Sequence, residues 1–73
     1  MKAILEFNLP DDQEDFDQAA SAGRMHVAIW KFDQHLRSKI KYDESLSQEA
    51  HDAYQEARDH LYQIFNEYNL SID

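Results

Sequence analysis

Apolar and polar positions alternate along residues 2–9. One face of this segment carries four apolar side chains, Ala3, Leu5, Phe7 and Leu9. A period of two is typical of a β-strand that is buried on one face. Pro10 ends the pattern, because proline has no backbone N–H to donate to a sheet. The pattern therefore predicts an N-terminal β-strand.

A short first helix is predicted over residues 12–22. Asp11 is its predicted N-cap, and Glu14 follows three residues later, as in a capping box. The apolar side of this helix is thin and consists of Phe16, Ala19 and Ala20. Gly23, the only glycine in the chain, is predicted to break or cap the helix.

Two longer helices are predicted from apolar stripes. Over residues 24–41 the stripe is Met25, Ile29, Phe32, Leu36 and Ile40. Over residues 46–68 it is Ala50, Ala53, Ala57, Leu61, Ile64 and Tyr68. Steps of three and four residues keep each stripe on one face of a helix. Ser45 and Ser47 are both suitable N-caps for the last helix, and these two helices are predicted to form an antiparallel hairpin.

The predicted fold is a single domain over residues 1–73, mostly α, in the order β-α-α-α. A lone strand needs a partner, because its backbone donors and acceptors must be paired. We therefore expect a homodimer or larger oligomer in which the strand pairs between protomers, with Ala3, Leu5 and Phe7 at the interface. The alternative is an extended arm that lies across the helices.

The charge of the chain is unevenly distributed. The chain has 15 Asp and Glu residues and 7 Lys and Arg residues, so the net charge is −8. Residues 1–22 carry −5, residues 23–42 carry +4, and residues 43–73 carry −7. The middle of the chain is therefore a basic segment between two acidic ones. This order disfavours long nucleic acid as a ligand, because extended phosphates would meet the acidic segments.

Few residues offer catalytic chemistry. The absence of cysteine excludes disulfides and thiolate metal sites, and one glycine is too few for a phosphate-binding loop. The serines lack a nucleophile-elbow setting, and the acidic "DDQEDFD" is predicted to be an exposed first helical turn. Asp52, Glu56 and His60 share a helical face, which is more often solvated than metal-binding. We therefore predict a protein that is not an enzyme and has no metal or cofactor.

A second face of the basic helix is the candidate binding surface. Successive helical residues are rotated by about 100°, which places Trp30, Gln34, Arg37 and Lys41 in one sector away from the apolar stripe. Arg24 and Lys31 add further positive charge. Such side chains suit an aromatic anion or a protein contact. The alternative is structural: Trp30 packs beneath a neighbouring helix or in an oligomer interface.

The segments "FNLPDDQEDFDQA" and "WKFDQHLRSKIKY" resemble a group of small, uncharacterised proteins encoded by bacteriophages. The likeness covers about residues 1–42, and Ala22-Gly23 stands where those proteins usually carry Asn-Gly or a similar turn. The resemblance brings no catalytic motif. It implies a phage origin and action in the cytoplasm of a host bacterium.

Three hypotheses about function follow. The first is a non-enzymatic phage protein that binds or inhibits a host or anti-phage defence factor through protein–protein interaction. The second is an oligomer that sequesters a small phosphorylated nucleotide on the Trp30 face, and the third is nucleic-acid binding or DNA mimicry. The N-terminus lacks the apolar core of a signal peptide, and no segment has the roughly 18 apolar residues of a membrane span. No membrane partner is expected.

Overall fold

The computed structural model describes residues 1–72 and contains two α-helices. Helix α1 is Gln13–Tyr42 and helix α2 is Gln48–Glu67. The connection at 43–47 lets the helices pack antiparallel as a hairpin. A helical protein is confirmed. The β-α-α-α prediction is wrong, because two helices and no β-strand are present within residues 1–72.

The predicted N-terminal strand is instead an extended arm. Residues 1–8 have no regular secondary structure, and the side chains of Ala3 and Leu5 are exposed. Phe7 is half-buried, because its ring packs edge-on against that of Phe16, with 5.8 Å between the centroids. The alternating pattern failed as a predictor because it describes which side chains share a face, whereas a strand also needs a neighbour to bond its backbone. The predicted oligomer interface of Ala3, Leu5 and Phe7 depended on this strand, so the structure gives it no support.

The arm ends in a turn closed by Asp12. The Asp12 backbone N–H donates to the Asn8 carbonyl at 2.8 Å, and the Asn8 backbone N–H donates to the Asp12 carboxylate at 2.9 Å. Asp12 occupies the N-cap position of α1, although its side chain makes no capping hydrogen bond to the helix. The predicted Asp11 cap is therefore wrong by one residue, and the carboxylate at the cap bonds backward to the arm.

Gly23 does not interrupt α1, contrary to the sequence-based prediction. The helix continues through it, and no glycine has a positive φ. A glycine inside a helix costs about 1 kcal/mol relative to alanine. A Cβ built on Gly23 would meet no atom within 4 Å. The packing of the single chain therefore gives no reason for glycine at this position.

The start of α2 is capped by Ser47. Its hydroxyl accepts a hydrogen bond from the Ala50 backbone N–H at 3.2 Å. Ser45, the other predicted cap, instead bonds Asp43 through both its backbone N–H and its hydroxyl. Asp43 also pairs with Lys39 across 3.2 Å. These hydrogen bonds, from Ser45 first and Lys39 second, lower the pKa of Asp43 below its usual value.

Ser47→Ala is expected to lower the free energy of unfolding by about 1 kcal/mol, because one N–H of the first helical turn loses its acceptor. Urea denaturation followed by circular dichroism measures this change. Ser71→Ala is the matched control, since Ser71 is exposed and lies beyond the end of α2. Equal stability of the Ser47 variant and the wild type would contradict the assigned cap.

The end of α2 turns the chain back onto α1. The Leu70 N–H donates to the Phe65 carbonyl at 2.8 Å, and the Asn69 N–H donates to the Asn66 carbonyl at 3.2 Å. With Asn69 in the left-handed region at φ 54°, these bonds form a Schellman motif. The reversal brings Ile72 into the hairpin, where it is buried.

The hairpin has a small hydrophobic core and an elongated shape. Leu36 and Ile72 are the buried hydrophobic residues of the described chain. The radius of gyration is 17.2 Å, whereas a compact domain of this length has about 11 Å. The accessible surface is 6372 Å², against roughly 4,700 Å² for a compact monomer of 8.7 kDa. A single chain therefore leaves much apolar surface in water.

Candidate interaction site

The centre of the hairpin is bridged by three polar side chains. Arg58 donates from Nε to one carboxylate oxygen of Asp33 at 2.9 Å and from Nη2 to the other at 3.4 Å. The Tyr62 hydroxyl donates to the second oxygen at 3.0 Å. Asp33 is only 1% exposed. The carboxylate is thus buried with both oxygens hydrogen-bonded and a cation beside it, as a buried charge requires.

The pKa values of this cluster reflect the mutual hydrogen bonding. The Arg58 hydrogen bond is the main reason that the pKa of Asp33 lies below its ordinary value, and burial opposes it. The same bond raises the pKa of Arg58. Burial, followed by the bond to Asp33, raises the pKa of the Tyr62 hydroxyl. All three groups keep one ionisation state near neutrality, so the cluster joins the helices and offers no group for proton transfer.

The distribution of charge along the sequence indicates which residues form this ion pair. Asp33 is the only acid in the basic segment 23–42, and Arg58 is the only base in the acidic segment 43–73. Each residue departs from the charge of its surroundings, and the antiparallel hairpin brings the two together. Asp33, Arg58 and Tyr62 were not among the site residues predicted from the sequence.

The Trp30 face is partly assembled by the structure. Trp30 is 43% exposed, Gln34 and Arg37 are half-buried, and Lys41 is exposed. The four lie in one sector of α1, and the Arg37 guanidinium stands over the Tyr42 ring at 5.9 Å.

The remaining two basic candidates lie apart from that sector. Arg24 and Lys31 are exposed and sit about 100° around α1 from the Trp30 face. The hollow beside Trp30 holds about 270 Å³ and is lined by His26, Val27 and Ile72, so its walls are mainly apolar. The six candidates therefore do not converge on one anion, and nucleotide sequestration stays a prediction.

A second apolar surface lies on the other side of the hairpin from Trp30. We call it the alanine groove: Phe32, His35, Leu36, Ala50, Ala53, Tyr54 and Ala57, which enclose about 500 Å³. Phe32 is 54% exposed, and the side chains of Ala53 and Ala57 are exposed as well. Because alanine side chains are short, the α2 backbone is accessible to a closely packed neighbour along this groove.

The outer face of α2 carries the predicted acidic row. Asp52, Glu56 and His60 line a shallow hollow with Asp59. Among residues 1–72, no group of three or more His, Asp or Glu side chains is arranged to hold a metal ion. Neither helix of the described chain is long and apolar enough to cross a membrane.

Comparisons with known proteins return no relative: no protein-family model matches the chain, and neither does any curated protein or solved structure.

Proposed function

We propose that the chain is a non-enzymatic binding protein that takes a helix of another protein into the alanine groove. The supporting observation is the exposed apolar surface of the hairpin. Phe32 is 54% exposed, and the side chains of Ala53 and Ala57 beside it are exposed as well. A contiguous exposed apolar surface of this kind is typical of protein-binding sites.

The groove fits one kind of occupant. A channel between two helices with a floor of alanines admits the apolar face of an amphipathic helix. Glu49 lies four residues before Ala53, on the same side of α2 as that end of the groove. The complementary ligand is a helix with an apolar stripe and basic residues along one edge, which the net charge of −8 also favours.

The class of partner and the cellular location are proposed from the resemblance to small bacteriophage proteins. Under this proposal the helix belongs to a host or anti-phage defence protein in the cytoplasm of the infected bacterium, and binding inhibits that protein. The groove geometry supports protein binding, and the resemblance alone supports the identity of the partner class.

Photo-crosslinking tests the groove. A benzoylphenylalanine at position 57 is expected to crosslink a basic amphipathic helix of another protein in bacterial cells, identified by mass spectrometry. The same group at position 63, on the acidic outer face of α2, is the control and should capture much less of it. Equal capture at both positions, or capture of only the chain itself at position 57, would contradict the proposal.

Ala57→Glu is expected to weaken binding of the captured protein at least 30-fold, because an unpaired carboxylate would be buried against an apolar helix. Calorimetry with the purified partner measures the dissociation constant. Gln63→Glu adds the same side chain outside the groove and should leave affinity within about twofold. Unchanged binding by the Ala57 variant would rule out the groove.

A further inference from the structure

The apolar hollow beside Trp30 continues toward the start of α1 as a stripe on that helix alone. We call it the α1 seam: Phe16, Ala20, Gly23, Val27 and Trp30, at steps of four, three, four and three residues. This spacing is that of a coiled-coil interface. The continuity of α1 through Gly23 creates the seam, since two separate helices would not keep these residues in phase. The seam lies about 150° around α1 from Ile29 and Leu36, which face α2.

The seam is unoccupied along its length in the single chain. Phe16 is 39% and Val27 51% exposed, and Ala20 and Gly23 are also exposed. Phe7 touches one end of the seam, and Ile72 borders the other end near Trp30. Between them, Ala20 and Gly23 are exposed, and a Cβ built on Gly23 would meet no neighbouring atom within 4 Å.

We propose that a second copy of this chain occupies the α1 seam, with the two α1 helices antiparallel. The charges of α1 favour this direction. Its first turns carry Glu14, Asp15 and Asp17, whereas its second half carries Lys31, Arg37, Lys39 and Lys41. Antiparallel pairing places the acidic end of each helix against the basic half of the other. Parallel pairing would place like charges together, which is destabilising.

The sizes of the seam residues define a register. In an antiparallel coiled coil, alternate seam positions of the two helices face each other. One such register sets Ala20 against the partner's Trp30 and Gly23 against the partner's Val27. Trp30 and Val27 then each meet a small residue of the partner, and Asp17 lies near the partner's Lys31.

This register gives Gly23 a physical role. The glycine weakens α1 and meets no atom of its own chain. Close approach of another helix is a setting in which the missing Cβ is needed.

The seam is long enough to pair with another helix, since Phe16 to Trp30 spans about 21 Å of the continuous α1. The seam and the alanine groove lie on different flanks of the hairpin, so a dimer leaves the groove open for the proposed partner. The two proposals therefore stand or fall separately.

Substitutions within the seam test whether it is the interface. Ala20→Glu is expected to weaken dimerisation at least 100-fold in sedimentation equilibrium, because the carboxylate would face the partner's Trp30. Ala28→Glu makes the same change at an exposed position of α1 outside the seam and should leave the dimer intact. A wild-type chain that stays monomeric up to millimolar concentration would overturn the proposal, as would equal weakening by both variants.

Charge reversal tests the pairing of the two ends. Lys31→Glu or Asp17→Lys alone is expected to weaken the dimer roughly tenfold, since each creates two like-charge contacts by symmetry. The double variant Asp17→Lys/Lys31→Glu should restore wild-type affinity. Lys2→Glu, in the arm, is the control for net charge. Absence of rescue in the double variant would overturn this register.

Engineered cysteines test the direction directly, because the native chain has none. A mixture of Asp17→Cys and Lys31→Cys chains is expected to form a mixed disulfide under mild oxidation. Asp17→Cys alone should remain largely uncrosslinked, because the two copies of position 17 lie at opposite ends of an antiparallel pair. Crosslinking of Asp17→Cys to itself without the mixed product would show a parallel pair and overturn the proposal.

Discussion

Asp33→Ala is expected to lower the free energy of unfolding by about 3–5 kcal/mol, the usual effect of removing one partner from a buried ion pair. The substitution leaves the Arg58 guanidinium, whose side chain is only 20% exposed, without its carboxylate. It also removes the acceptor of the Tyr62 hydroxyl. Because the hairpin core is small, we expect this variant to be largely unfolded at 25 °C, as measured by circular dichroism and urea titration.

The double variant Asp33→Leu/Arg58→Met separates the charge effect from lost packing. Since both charges are removed together, it should recover most of the lost stability. A double variant that is no more stable than Asp33→Ala would indicate that the loss comes from packing and not from the unpaired guanidinium.

The same ion pair predicts a pH dependence. The pKa of Asp33 in the folded chain is lower than its ordinary value of 3.8. A carboxylate with a depressed pKa contributes its full stabilisation above the pKa of the unfolded chain and loses it as the pH falls through the folded pKa. Stability should therefore decline below about pH 4. Asp33→Asn should show a smaller decline, and an unchanged profile would contradict this assignment.

Leu36→Ala is expected to destabilise the protein by about 2–5 kcal/mol, because the deleted atoms leave a cavity between the helices. Leu36 is only 3% exposed and is one of two buried hydrophobic side chains in the described chain. Urea denaturation at constant protein concentration measures the effect, since association would otherwise change the apparent stability.

Leu5→Ala provides the control for Leu36→Ala, as Leu5 is 78% exposed in the arm. Its effect should lie within about 0.5 kcal/mol. A loss at Leu5 comparable to that at Leu36 would mean that the arm is buried in solution, and this would revive a role for the N-terminal segment in association.

Local signals located α2 well. Its predicted range of 46–68 differs from the observed Gln48–Glu67 by two residues at the start and one at the end. The cap at Ser47 depends on a side chain bonding an N–H three residues away, so the local sequence contains all the required groups. The apolar stripe along α2 likewise depends only on helical spacing.

Prediction failed where a local pattern had two possible outcomes. Gly23 could end a helix or continue it at a cost of about 1 kcal/mol, and the helices on either side outweigh that cost. The alternation over residues 2–9 could form a strand only with a neighbouring strand, which the described chain does not provide. The error at Gly23 hid the α1 seam, because its five residues share a face only when α1 is continuous.

The sequence predicted part of the candidate binding surfaces. The sequence placed Trp30, Gln34, Arg37 and Lys41 on one face of a helix, and the structure keeps them there. It did not show that Arg37 stacks on Tyr42 or that Arg24 and Lys31 lie apart. The alanines were placed on the apolar stripe of the last helix, and the structure shows that the side chains of Ala53 and Ala57 on this stripe are exposed in the hairpin.

The helical periodicity, the cap of α2 and the three charge segments could be predicted before the fold was known, because each depends on residues close together in the chain. Tertiary structure decided that Asp33 bonds Arg58, that Ile72 returns to α1, and that apolar flanks remain open on both sides of the hairpin. These features depend on which distant residues meet. Contact between distant residues is governed by burial and by backbone pairing, which local spacing does not encode.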